Sequence, residues 1–295
     1  MIFTTTRVRF PSGSDVLVGD LHQPQGQDAE SATTIVIVTG SWTTVKEQQA
    51  DFYARRLAAA GLTTLVFDFR GFGQSEGSPR CWENPARKVE DIRAAVSFAA
   101  SQGYTRIGAL GICASAGYQA VNAADDQRVC SLALVAPWLH NRKLVAPYYG
   151  GEAGVLGRID MSRAAAARYA ETGEVDYIPA ISTTDESAAM FGPFDYYLDS
   201  QRGDIPEWDK QIAVMSWEPW LTFNPIDSAP KVTVPVHMVH SHDGAVPDGA
   251  QLFFDALPGP KHIDWLPGTQ LDFYDQPAQV DPAVAAVVEH FRHTL

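Results

Sequence analysis

At 295 residues with 45 % apolar side chains, the chain fits one large α/β domain with an insertion or two small domains, and it can bury a sizeable core. A formal net charge of −13 repels phosphate backbones and anionic lipid, so no nucleic-acid partner and no membrane partner is expected. No apolar run approaches the roughly 20 residues that span a bilayer, and the sparse set Cys81, Cys113 and Cys130 offers neither a disulfide framework nor a C-x-x-C zinc motif.

The opening Met1-Ile2-Phe3-Thr4-Thr5-Thr6-Arg7-Val8 alternates like a strand and lacks the apolar stretch of a signal peptide, which places the chain in the cytoplasm with free thiols. Residues 8–10 and 16–22 flank Pro11-Ser12-Gly13-Ser14 and read as an antiparallel hairpin. Strand-like and helix-like runs then alternate. Residues 34–38 form a buried strand, 48–60 a helix ended by Gly61, and 62–67 the next strand. A helix over 89–101 closes at Gly103, and a strand over 107–110, a helix over 115–124 and a strand over 132–136 follow. This alternation predicts an α/β fold with a mostly parallel central sheet and helices on both faces.

After Pro137 the alternation stops. Residues 138–230 carry many aromatics and no clean buried strand, and they are too numerous for a connecting loop. They read as a helical cap inserted into a core made of residues 1–137 and 231–295. The sheet resumes at 234–240, with a helix over 251–257, a short strand over 262–266 and a last helix over 280–291. No internal repeat, glycine-rich phosphate loop or metal-ligand cluster is evident in the sequence, so no cofactor and no metal are expected.

The chemistry-bearing motif is Gly111-Ile112-Cys113-Ala114-Ser115-Ala116-Gly117, between a strand and a helix. A nucleophile at such a junction sits on a turn so tight that its flanking residues must be small. Two registers compete. With Cys113 as nucleophile the small neighbours are Gly111, Ser115 and Ala116. With Ser115, bulky Tyr118 falls where a small residue is wanted. The first register also follows directly on the strand ending at Leu110. A third reading makes Cys113 a buried apolar thiol with no chemistry.

Together with Val45-Lys46-Glu47-Gln48, Phe52-Tyr53-Ala54, Phe67-Asp68-Phe69-Arg70-Gly71-Phe72-Gly73-Gln74-Ser75-Glu76-Gly77 and Arg87-Lys88-Val89-Glu90-Asp91, this motif resembles the dienelactone-hydrolase-like α/β hydrolases. Members of that group commonly use a cysteine nucleophile, and relatives include esterases, thioesterases and polyketide acyltransferases. The resemblance implies an α/β-hydrolase fold over nearly the whole chain, with the cap as its divergent part. It implies an oxyanion hole built from the backbone N–H of Ser41 or Trp42 and that of Ala114, and a catalytic acid at Asp243. The run from Asp68 to Gly77 corresponds to a structural turn, without chemistry.

One departure stands out. The group's catalytic histidine would fall in a Gly-x-His-x-Asp-x-Tyr-Asp frame, and the chain reads Gly268-Thr269-Gln270-Leu271-Asp272-Phe273-Tyr274-Asp275. An amide cannot take a proton near neutral pH, though it can bond at both ends. Gln270 is therefore expected within reach of Asp243 or of the Cys113 sulfur. A cysteine tolerates the loss better than a serine, because a few per cent is thiolate at pH 7 and a helix N-terminus raises that fraction. His140 and His242 are the alternative bases. Gln270 would also be explained by an engineered substitution.

Pro137-Trp138-Leu139, Met190-Phe191, Tyr196-Tyr197, Trp208, Trp217 and Trp220 are candidates for an apolar acyl or aryl pocket, with Trp138, His140, Phe191 and Tyr196 as the leading substrate contacts; the competing reading is a small core inside the cap. The expected function is a cysteine-dependent hydrolase or acyltransferase acting on a small uncharged ester, lactone or thioester. The alternatives are a hydrolase-fold binding protein that lost its base and a serine esterase working through Ser115. The expected partner is the small-molecule substrate, and the sequence leaves room for a homodimer.

Overall fold

The structure, a computed structural model, describes residues 1–26, 28 and 31–295. The chain opens on the antiparallel hairpin β1 (Phe3–Ser12) and β2 (Asp15–Pro24). Next come β3 (Thr34–Thr39), α1 (Gln49–Ala59), β4 (Thr64–Phe67), α2 (Pro85–Ser101), β5 (Arg106–Ile112), α3 (Ala114–Asp125) and β6 (Val129–Val135). Within residues 138–230 lie α4 (Arg142–Val145), α5 (Gly151–Thr172), β7 (Tyr177–Pro179), β8 (Ile181–Ser182), β9 (Met190–Phe191), α6 (Asp195–Leu198), β10 (Gln211–Ala213) and α7 (Trp217–Leu221). The chain ends with β11 (Val236–His240), α8 (Pro247–Ala256), β12 (Lys261–Trp265), α9 (Asp272–Asp275) and α10 (Pro277–Thr294).

Eight strands form one sheet in the order β1-β2-β4-β3-β5-β6-β11-β12, antiparallel at the β1, β2 and β4 end and parallel from β4 onward. β3 and β4 are buried along their whole length, as unbroken runs of Ile, Val and Leu require when helices cover both faces. Two glycines of β5 show the two layers. A Cβ on Gly108 would collide with Leu295 and Phe291 at the end of α10, and one on Gly111, on the opposite face, would collide with Ser115 and Ala116 of α3. This is the α/β-hydrolase arrangement expected from the alternation of elements. The expected helical segment also holds two two-stranded sheets, β7 with β10 and β8 with β9, whose strands are too short to leave a period-two signal. Among the described residues no helix is long and apolar enough to cross a membrane.

Three helices begin about one turn earlier than their apolar periodicity suggests. α2, α8 and α10 start on Pro85, Pro247 and Pro277. Proline suits the first helical position, where its missing N–H costs nothing and its fixed φ is already helical. For α2, Asn84 completes the start by accepting the Arg87 N–H at 3.2 Å.

The register brings the functional loops to one edge. Thr39 lies beside Gly111, and Ile112 beside Val135. Val239 lies beside Val135, and His240 beside Trp265. The chain therefore leaves β3, β5, β6, β11 and β12 at the same end, the usual location of a binding crevice in parallel sheets.

A buried charge cluster braces that end. Glu83 is fully buried and accepts the Thr43 N–H at 2.8 Å, the Tyr118 hydroxyl at 2.8 Å and Lys88 Nζ at 2.7 Å. Lys88 lies over the rings of Phe69 and Phe72, 4.6 and 4.4 Å from their centroids. Burial pulls its pKa down, and Glu83 opposes that shift. Glu83→Ala should strand the ammonium and cost about 3–5 kcal/mol in urea denaturation. Glu83→Gln, which keeps an acceptor, should cost less; equal stability of Glu83→Ala and the parent would refute this role.

Candidate active site

Cys113 joins β5 to α3 with φ at +56° and ψ at −120°. A non-glycine residue with φ in the left-handed range is strained and persists only where its surroundings hold it. Here the Cys113 N–H donates to Val135 O at 3.0 Å, and Cys113 O accepts the Trp138 N–H at 2.9 Å. Gly111 is obligatory, since any Cβ there would stand 2.6 Å from Ser115 O. Ser115, the rival nucleophile, lies inside α3, fully buried and away from the cavity, and its Oγ has no partner among the described residues.

The Cys113 thiol is buried. Burial pushes its pKa up, while the neighbouring Ser41 and Tyr274 hydroxyls and the Ala114 and Trp42 backbone N–H groups pull it back down without cancelling the shift. The expected acidifying effect of the helix N-terminus is opposed here by desolvation, which shifts the thiol the other way. Trp42 and Ala114, two of the residues expected to supply oxyanion donors, line the cavity together with Cys113. At position 41 it is the side chain that matters. Ser41 Oγ pairs with Tyr197 Oη at 2.8 Å and with Tyr274 Oη at 3.3 Å. Burial also raises the Tyr274 phenol well above its ordinary value, so it remains a donor.

Gln270 occupies the same cavity, yet it bridges neither Asp243 nor the thiol. Its Oε1 accepts the Ala245 N–H at 2.9 Å; its Nε2 donates to Ala136 O at 2.7 Å and reaches Tyr274 Oη at 3.4 Å. The amide matches a backbone donor and a backbone acceptor on two neighbouring loops, which satisfies it better than a solvated carboxylate would. Asp243 sits exposed at the cavity rim, and its carboxylate makes no hydrogen bond among the described residues.

Neither alternative histidine faces the thiol. His140 is buried and absent from the cavity wall. Its Nδ1 accepts Trp138 Nε1–H at 3.0 Å and its Nε2 donates to Trp220 O at 3.0 Å, so both nitrogens are spent. His242 stacks on Trp265 at 4.1 Å between ring centroids.

The cavity measures about 570 Å³. Residues 138–230 contribute Trp138, Tyr148, Tyr149, Met190, Phe191, Phe194, Tyr197 and Trp220 to its wall, and Trp42 faces them from the core. Of the expected substrate contacts, Trp138 and Phe191 line it. Tyr196 does not; it packs behind Tyr197 and Tyr274 at 5.1 Å from each. Pro137, Leu139, Trp208 and Trp217 likewise fall outside it, and Trp208 and Trp217 support Tyr197 and Trp42 from behind. Tyr274 escaped the sequence reading. Its signal was its place one helical turn after Gln270 in the quoted frame. Trp42 carries an indole N–H that is buried and has no partner among the described residues.

Comparison with known proteins agrees with this architecture. The profile of a family described as serine aminopeptidase, S33, matches residues 29–178. The chain is 30% identical over 271 residues to the uncharacterized protein YcjY of Escherichia coli, covering 85% of each chain. It is 26% identical over 247 residues to thiohydrolase aneE of Aspergillus aculeatus, covering 78% of this chain and 76% of the relative. The crystal structure of the hypothetical protein PA2218 from Pseudomonas aeruginosa superposes with a TM-score of 0.85 at 22% identity, covering 99% of this chain and 94% of that one.

The buried histidines make stability depend on pH. Desolvation lowers both His140 and His240 from 6.5 to about 4. Between those values the unfolded chain binds protons that the folded chain refuses, so stability is full above about pH 6.5 and falls as pH drops toward 4. At pH 5 each histidine should account for a loss on the order of 2 kcal/mol. Urea midpoints at pH 7, 6 and 5 should fall in that order, and His140→Gln should flatten the trend; a flat parent profile would contradict the assignment.

Proposed function

Because this chain belongs to the α/β-hydrolase family described as serine aminopeptidase, S33, and is an enzyme of that superfamily, we propose that it transfers an acyl group through Cys113. The observation that carries this reading is the strained strand-to-helix turn that holds Cys113 in the wall of an aromatic cavity, together with Ser41, Trp42, Ala114 and Tyr274. The family description names serine, and the elbow here carries cysteine. That exchange fits the rest of the site: Gln270 stands in the place of a base, and a thiol needs one less than a hydroxyl does.

The substrate class follows from the same balance. With burial holding the thiol protonated for most of the time, attack falls to a small thiolate fraction. A thioester or activated ester suits that regime, because its leaving group departs without help. The Cys113 sulfur bonds to the acyl carbon, the bond to the leaving sulfur or oxygen breaks, and the Cys113 proton ends on the leaving group. The Trp42 and Ala114 N–H groups stabilise the oxyanion between those events, an effect commonly worth about 10²–10³ in rate per donor. The Tyr274 and Ser41 hydroxyls favour the thiolate form of the sulfur. Residues 138–230 act as a cap, and their aromatic wall seats an uncharged acyl or aryl group. The thiohydrolase among the relatives supports the thioester reading.

Deacylation is the slow half. Attack by water calls for a base, and no imidazole faces the sulfur. Transfer to an acceptor more nucleophilic than water therefore fits the geometry better than rapid hydrolysis.

Intact-protein mass spectrometry after exposure to aryl esters and acyl thioesters tests the nucleophile. Cys113→Ala should abolish the acyl adduct and Ser115→Ala should leave most of it; the reverse pattern would overturn the assignment.

Gln270→His would put an imidazole beside Tyr274, in the cavity that holds the thiol. General acid–base catalysis is worth about 10²–10⁴-fold, so ester hydrolysis should rise by a measurable part of that range. Pre-steady-state kinetics should locate the gain in deacylation. An unchanged deacylation rate would show that the missing imidazole is not what limits turnover.

A further inference from the structure

We propose that the outer edge of the sheet carries a binding site for a borderline divalent cation such as Zn²⁺, formed by His237, His262 and Asp264. β12 is the edge strand, and its parallel pairing with β11 sets His262 directly beside His237, with Asp264 two residues further along the same face. His237 Nε2 lies 2.8 Å from Asp264 Oδ2, and His262 Nε2 lies 3.0 Å from Asp264 Oδ1. All three ligand atoms fall within 4.8 Å of one another.

That spacing fits a metal. Zinc binds imidazole nitrogen and carboxylate oxygen at roughly 2.0–2.2 Å, which sets tetrahedral ligand atoms about 3.3 Å apart. The three groups need only small rotations to reach it. Each imidazole keeps its proton by moving it to Nδ1 and offers the Nε2 lone pair, so neutral rings bind without redox change. Two imidazoles and one carboxylate suit Zn²⁺, Ni²⁺ or Cu²⁺ better than Mg²⁺ or Ca²⁺. His237 is largely buried and anchors the set, while the His262 side chain is 65% exposed and leaves a side open for water as a further ligand. His290 stands 5.6 Å from the His237 ring, but its Nε2 is engaged with Ser131 Oγ at 2.8 Å and it is not one of the ligands.

The cluster is separate from the acyl site. It lies toward the start of β11, and Asp243 follows the other end of that strand. An ion here would pin the edge strand to its neighbour. It would thereby steady the two loops that leave these strands, one with Asp243 and the other with Gln270.

The test uses the full chain without a histidine tag, stripped with chelator and titrated with ZnCl₂ by calorimetry, with melting temperature followed in parallel. The expected result is one equivalent bound and a raised melting temperature. His262→Ala and Asp264→Asn should each weaken binding at least about tenfold, since even outer-shell changes cost that much. His262 is exposed, so its variant should fold as the parent does, which circular dichroism checks. Cys113→Ala should bind as the parent does. The proposal is overturned if the parent takes up no zinc, if uptake is unchanged in both His262→Ala and Asp264→Asn, or if Cys113→Ala loses it.

Discussion

The site rests on one buried carboxylate. Glu83 takes hydrogen bonds from the loop after β3, through Thr43, and from α3, through Tyr118, while its own N–H donates to Ser216 Oγ at 2.9 Å. Trp42 precedes Thr43, and Cys113 caps α3. The two backbone donors and the thiol they surround are therefore positioned relative to one another through a side chain that touches none of them. Lys88 supplies the compensating charge and is itself buried, which makes the arrangement all-or-none: a lone charge in that interior would be far less stable than either the pair or none. Lys46 and Asp68 repeat the device nearby, with Asp68 accepting Lys46 N–H at 2.8 Å and Lys46 Nζ at 2.9 Å, so the loop between β3 and α1 is held from both sides.

The electrostatics of Cys113 are a contest, and its outcome shapes the chemistry. The hydrogen-bond donors around the sulfur are those that would steady a thiolate. Burial under aromatic side chains works against them and is the larger effect. A substrate that fills the cavity with apolar atoms would deepen the desolvation, whereas one that presents its carbonyl to Trp42 and Ala114 would take over their hydrogen bonds. The Ser41, Tyr197 and Tyr274 hydroxyls then remain the polar groups in touch with the sulfur's surroundings, and they form a chain that reaches from the core into the inserted segment.

Much of this was legible in the sequence. The order of strands and helices followed from periodicity, because a parallel sheet covered on both faces imprints continuous apolar runs. The elbow register followed from size alone, because Gly111 has no room for a Cβ. Trp42 and Ala114 were singled out by their positions after β3 and after the elbow, and both line the cavity beside Cys113. What stayed hidden has one physical cause: contacts between residues distant in the chain leave no local pattern. Tyr274 meets Ser41 across the fold, Glu83 meets Thr43 and Tyr118, and His140 turns away from the cavity because Trp138 and Trp220 offer it partners. Tyr196 and Tyr197 are adjacent in sequence and opposite in role, a distinction set by which way one short helix faces.

Glutamine and histidine codons differ at a single base, so the step between an amide and an imidazole at position 270 is genetically trivial. The barrier between them is structural. The amide satisfies Ala245 N–H, Ala136 O and Tyr274 Oη together, whereas a neutral imidazole has one donor and one acceptor and must leave one of the three unserved. On the proposed mechanism, position 270 is thus a branch point at which two catalytic regimes are neighbours in mutational space, separated by the local polar contacts that each side chain can complete.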